Sequence, residues 1–219
     1  MPPTRRRSAR DDILRAFAER VARDGYADTS IADVAGDLGL SKGTVVHHFS
    51  SKLELLQHVH LAYMQRRLAE AHHIIATLST STSQLAAMIY ALLKSHRDDR
   101  AATVSFLREI SRFTEATTAV RTQRDTYTSL VEGIVLRGIA SSEFRSEDAS
   151  LIALQVFGMC NYAWTWYRPD GRVSIEDIAR SYIRTVLIGL GSSAGAESNA
   201  IDAVIDQAFR VVTSAPVTV

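Results

Sequence analysis

The 219-residue chain is poor in the residues that cross-link or punctuate a fold. It has one cysteine, Cys160, so a disulfide framework and a Cys-x-x-Cys metal knuckle are both excluded. That usage fits a reducing compartment, and a cytoplasmic location is expected. Four prolines and eleven glycines are too few for a β-sandwich, a barrel or a disordered chain. No apolar run reaches the roughly 18 residues that a membrane-spanning helix needs. The first residues carry charge with no apolar stretch behind them, which is not the pattern of a signal peptide. The formal net charge is only +1, so any nucleic-acid contact has to come from a local patch. Catalytic signatures are missing too: there is no Gly-x-Ser-x-Gly, P-loop or His-Glu-x-x-His pattern. His47 and His48 are neighbours, pointing about 100° apart on a helix, and cannot chelate one metal together. His58 with His60, and His72 with His73, lack helical ligand spacing, and His96 stands alone. No enzyme, metal or cofactor is expected.

What the chain does have is apolar bulk and uneven charge. It is 46% hydrophobic and 22% charged, enough to build a sizeable core. The opening MPPTRRRSAR carries Arg5, Arg6, Arg7 and Arg10 without an acid. Such a run is either a solvated tail or an arm that binds phosphates or enters a minor groove.

Helical periodicity dominates. Ile13, Leu14, Phe17, Val21 and Ala22 form one apolar face, with Gly25 as a stop. A second helix begins at Thr29 or Ser30, where Asp33 three residues on completes a capping box, and ends at Gly39. Ser41 caps a third helix, and Ser50 or Ser51 caps a long fourth one. Further helices are predicted near 83–97, 101–113, 117–140, 147–167 and 174–190. GSSAGAESN, 191–199, reads as a linker, and a last amphipathic helix carries Ile201, Val204, Ile205, Ala208 and Val212 on one face. The expected fold class is all-α, with an N-terminal three-helix domain and a larger helical domain.

Two short helices joined at Gly39 form a helix-turn-helix, whose second helix lies in the DNA major groove. Lys42, Gly43 and Thr44 at its start then face base edges. Gly43 lets the backbone approach closely, Thr44 offers a hydroxyl and a methyl, and Lys42 a flexible cation.

The run TSIADVAGDLGLSKGTVVHHFSSKLELL resembles the DNA-binding domain of the TetR family of bacterial transcriptional repressors. The resemblance rests on Thr29, Ile31, Ala32, Gly39, Leu40, Ser41, Gly43, Thr44, His47, His48, Phe49, Ser51, Lys52, Glu54 and Leu55, and covers about residues 10–56. It implies that His47 sits near DNA, His48 near the phosphate backbone and Lys52 on a phosphate. His48 packing against Phe49 is the structural alternative. Thr29 and Ser41 belong to the same motif. One position departs: Val46 stands where the family usually has a tyrosine, so it gives up a hydrogen bond and offers methyls instead.

The resemblance also implies a division into a DNA-binding part, 1–52, and an effector-binding and dimerisation part, 53–219. The dimer would form through helices near 147–167 and 174–190. The residues there serve equally well as intrachain core. The segment around Trp166 to Ala179 is similar to a TetR subgroup that senses acyl-CoA thioesters. Amphipathic residues on the central helices are the effector candidates: Tyr90, Phe106, Arg108, Arg112, Tyr127, Phe157, Asn161 and Trp164. Arg108 and Arg112 lie one turn apart, suiting either a CoA phosphate or surface acids. The expected function is a homodimeric, ligand-responsive repressor released from a palindromic DNA operator by a small hydrophobic or acyl-CoA-type effector. The alternative is a helical small-molecule-binding or interaction protein with weak or lost DNA binding.

Overall fold

A computed structural model describes residues 8–109, 118–145, 148–192 and 198–215. Arg5, Arg6, Arg7 and Arg112, and residues 193–197 of the expected linker, lie outside the described residues. Among the described residues all regular structure is helical. The helices are α1 (Ala9–Asp24), α2 (Ile31–Asp37), α3 (Lys42–His48), α4 (Lys52–Thr77), α5 (Ser81–Asp98), α6 (Arg100–Glu109), α7 (Thr118–Ala140), α8 (Ala149–Tyr162), α9 (Ile175–Gly189) and α10 (Ser198–Ser214).

Local chemistry explains most boundaries. Ser8 and Ser30 each form a reciprocal box with the aspartate three residues on, Asp11 and Asp33. Ser41 Oγ accepts from the Thr44 amide at 3.0 Å. Ser51 Oγ accepts from the Glu54 amide, while the Glu54 carboxylate accepts from the Ser50 amide and hydroxyl. Gly25 ends α1 at φ 96° and Gly39 turns the chain at φ 65°, both in the region that glycine tolerates best. The segment expected at 147–167 stops sooner. After Tyr162 the chain tightens into a 3₁₀ turn, Ala163–Thr165, and the Tyr167 amide donates to the Ala163 carbonyl at 2.8 Å. Pro169 follows two residues later, and the residue before a proline resists helical geometry. The last helix starts earlier than expected, since Ser198 and Asn199 already belong to α10.

The chain divides into two compact units. The first holds the described residues of Met1–Met64 and Arg100–Arg121. Its core joins Ile13, Phe17 and Val21 of α1, Val34 of α2, Val45 of α3, Phe49, and Leu55, Leu56 and Val59 of α4. α6 packs on α1 within this unit.

The second holds the described residues of Gln65–Asp99 and Thr122–Val219, with α5 at its centre against α8, α9 and α10. Residues from Ser81 to Leu93 of α5 are buried without a break. Its start is capped from a turn, where the Glu143 carboxylate accepts from the amides of Ser81 and Thr82 at 3.1 and 2.8 Å. His96 Nε2 lies 3.0 Å from the Cys160 carbonyl oxygen, joining α5 to α8, and burial pushes the Cys160 thiol up. Arg180 and Arg184 of α9 pair with Asp206 and Asp202 of α10.

Candidate nucleic-acid interface

α2, the turn at Gly39 and α3 form the helix-turn-helix, anchored from below by Val34, Ala35, Val45 and Phe49. Charge fixes α2 from the side. Arg20 of α1 donates Nε and Nη2 to the Asp37 carboxylate, and this hydrogen bonding holds the Asp37 carboxyl below its ordinary range. No local spacing links residues so far apart, so this pair is invisible in the sequence.

α3 has two faces. Val45 is fully buried, whereas Lys42, Gly43, Val46 and His47 are exposed. Thr44 is half-buried, and its hydroxyl lies 2.9 Å from Ser41 Oγ. His48 is half-buried, and its ring meets that of His47 edge-on at 5.6 Å. Phe49 meets His58 edge-on at 5.4 Å, with the Arg10 guanidinium 4.9 Å above its ring.

Two residues of the expected DNA-contacting set also hold the fold together. Thr29 is 1% exposed and its hydroxyl donates to the Gly25 carbonyl, so its side chain closes the bend after α1. Lys52 Nζ donates to the Ala27 carbonyl at 3.2 Å and lies 4.3 Å over the Tyr26 ring, which ties the same bend to α4. Neither duty has a signature in local sequence, because each depends on a partner in another element.

The eight effector candidates do not fall in one unit. Phe106 and Arg108 belong to the first. Phe106 packs against His60 and Tyr63, with ring centroids at 5.1 and 4.8 Å. Arg108 lies against Gly25, and its Nη1 donates to the Ala22 carbonyl at 3.5 Å. Beside it, the buried Glu109 carboxylate accepts from the Tyr26 amide. The end of α6 thus holds the bend after α1, a role that sequence reasoning missed.

Tyr90, Tyr127, Phe157, Asn161 and Trp164 belong to the second unit. Tyr90 is engaged within the unit: its hydroxyl donates to Glu176 Oε1 at 3.1 Å, and its ring stacks on Phe209 of α10 at 3.9 Å. Tyr127 and Phe157 do come together, with centroids 5.9 Å apart. Phe157, Asn161 and Trp164 follow i, i+4, i+7 spacing and are all half-buried. This unit also has an open apolar stripe. Leu151, Leu154, Gly158 and Tyr162 of α8 are exposed, as are Thr185, Ile188 and Gly189 of α9. A groove of about 600 Å³ runs beside them, lined by Ile152, Val156, Met159 and Val186 among others.

Among the described residues no group of three or more His, Cys, Asp or Glu side chains is placed to hold a metal. None of the described helices is long and apolar enough to cross a membrane.

Comparison with known proteins agrees with this geometry. Residues 13–59 match the family model described as bacterial regulatory proteins, tetR family, and residues 78–190 match the tetracyclin repressor-like C-terminal domain. The HTH-type transcriptional repressor KstR2 of Mycolicibacterium smegmatis is 24% identical over 196 residues, 88% of this chain and 96% of that protein. The crystal structure of the TetR family transcriptional regulator PfmR from Thermus thermophilus is 30% identical, with a TM-score of 0.75, covering 81% of this chain and 98% of that one. The structure of AibR in complex with isovaleryl coenzyme A and operator DNA superimposes with a TM-score of 0.73 at 22% identity, covering 81% of this chain and 97% of that one. With both of its parts matched and the reading helix in place, the chain belongs to the TetR family and is a DNA-binding transcriptional regulator rather than an enzyme.

Proposed function

We propose that this chain is a cytoplasmic, homodimeric repressor, released from a palindromic operator by a small hydrophobic or acyl-CoA-type effector. Residues 1–52 read DNA, and residues 53–219 bind the effector and dimerise. The observation that carries the reading is the exposed stripe on α3, set on a helix-turn-helix whose buried side is fully packed. Lys42, Gly43, Thr44, Val46 and His47 lie in the major groove, with His48 and the arm residues Arg5, Arg6 and Arg7 on phosphates. Ser41, Thr29 and Lys52 position that surface.

The apolar stripe on α8 and α9 supports dimerisation. Four large side chains, Leu151, Leu154, Tyr162 and Ile188, each lie more than half exposed along two adjacent helices. Exposed glycines at 158 and 189 permit close helix approach. A second copy covers this face by a twofold, which makes the operator a palindrome. Tyr127, Phe157, Asn161 and Trp164 are the effector-binding set, an aromatic lining with one amide. AibR, a fold neighbour solved with isovaleryl coenzyme A and operator DNA, supports an acyl-CoA-type effector. The effector acts by preferring one conformation of the dimer over the other.

The test is enrichment of genomic DNA fragments by the purified protein at moderate salt. A short palindrome is the expected result, and candidate effectors are then judged by release of that site. Sequence-blind, salt-sensitive binding would favour the rival, a helical ligand-binding protein that no longer reads DNA.

A further inference from the structure

This inference rests on the operator-reading role proposed above and names what the middle of α3 reads. The exposed residues Lys42, Gly43, Val46 and His47 follow i, i+1, i+4, i+5 spacing and form one stripe. At about 100° per residue, Lys42 and His47 mark the two edges of that stripe, with Val46 and Gly43 between them. Thr44 is half-buried and falls about 60° beyond the His47 edge, outside this stripe, with its hydroxyl 2.9 Å from Ser41 Oγ. Hydrogen-bonding side chains are therefore confined to the edges, and the centre is apolar.

The centre is also open. A Cβ at position 43 would meet only Ser41 Oγ, at an ordinary 3.6 Å. The fold itself has no objection to a side chain there, and glycine weakens a helix relative to alanine. The room it leaves faces outward. Val46 stands beside this room, 40% exposed, with two methyls on a β-branched carbon that has little rotamer freedom.

Base edges in the major groove present a single apolar group, the C5 methyl of thymine. We infer that Val46 selects a thymine in each operator half-site, its methyls packing on the C5 methyl in the space that Gly43 leaves open. Polar discrimination falls to Lys42 and His47 on the flanking base pairs.

The test starts from the enriched operator. Each thymine is replaced in turn by deoxyuridine, which removes the methyl and leaves the pairing unchanged. Binding is read by fluorescence anisotropy at fixed salt. One thymine per half-site should stand out, with a loss of about three- to fivefold per half-site, the value of one buried methyl. Val46→Ala should bind the thymine operator about as weakly as the parent protein binds the deoxyuridine one, and should not distinguish the two. Val46 is exposed, and a circular dichroism spectrum checks that the variant folds. A flat deoxyuridine scan, or the same penalty in Val46→Ala, would overturn the assignment while leaving the regulator intact. Failure to enrich any sequence would overturn the operator-reading role, and this assignment with it.

Discussion

Gly25 ends α1 at φ 96°, and the Arg108 guanidinium carbon lies 3.3 Å from where a Cβ would stand. An alanine there adopts a backbone geometry costing about 1–3 kcal/mol and must also displace Arg108. Gly43 is the opposite case, in a helical turn with open space outside. We expect Gly25→Ala to lower the urea midpoint of unfolding. Gly43→Ala should raise stability by about 0.5–1 kcal/mol yet weaken operator binding. A Gly43→Ala protein that is both more stable and tighter on DNA would refute the close approach.

His60 gives a second test at this scale. Burial lowers its pKa to about 4, against a contact with the Ser105 backbone that raises it. Above pH 6.5 the ring is neutral in both the folded and unfolded states and contributes no pH dependence. Between about 6.5 and about 4 the unfolded chain takes up a proton that the folded one refuses. Stability then falls with pH, by at most about 1.4 kcal/mol per unit from this group. His60→Gln should flatten that part of the profile, measured as chemical denaturation from pH 7 to pH 4.5. Single residues are only partly legible in the sequence. Ser30, Ser41 and Gly25 act through neighbours within four residues, and their roles are readable there. Arg108 reads in sequence as suiting either a CoA phosphate or surface acids, and its proximity to Gly25 and Ala22 has no signal there, since the packing of α6 on α1 creates it.

Helices show the same dependence on range. α7 and α9 lie within one residue of the segments expected for them, and at α9 an apolar period and the Ser174 cap coincide. The start of α5 has a local cap, Thr80 Oγ1 accepting from the Ser83 amide, and a second acceptor that could not be anticipated, since it comes from the turn after α7. The Glu143 carboxylate stands at the positive end of α5, accepting from Ser81, Thr82 and the Ser141 hydroxyl. Burial alone would raise its pKa, but these hydrogen bonds outweigh it and hold the carboxyl below its ordinary value. The stabilisation is therefore present above about pH 4.5 and is lost as the pH falls through the lowered folded value. Glu143→Ala should cost about 1–2 kcal/mol at neutral pH, within the range for lost caps, and the deficit should shrink on acidification. Thermal melts at pH 7 and pH 4 measure both.

For the whole molecule the proposed function turns on one chain carrying one exposed stripe on α3. A single α3 spans few base pairs, and each phosphate contact is weak alone, so affinity for a palindrome depends on two stripes held together. The proposed dimer face can be attacked without touching the reading surface. Leu154 is 61% exposed on α8, so a charged replacement disturbs no buried contact in the isolated protomer. Placed at a twofold, it sets a carboxylate against apolar surface and near its own symmetry mate. Leu154→Asp should therefore sediment as a monomer with an unchanged helical spectrum. Its operator affinity should fall by about tenfold or more, and the dependence on salt should flatten as roughly half of the phosphate contacts are lost. Analytical ultracentrifugation with anisotropy titrations at several salt concentrations reads all three. A Leu154→Asp protein that stays dimeric would move the interface away from α8. One that becomes monomeric and keeps full affinity would mean that a single α3 with its arginine arm is sufficient, and the palindrome would no longer be required.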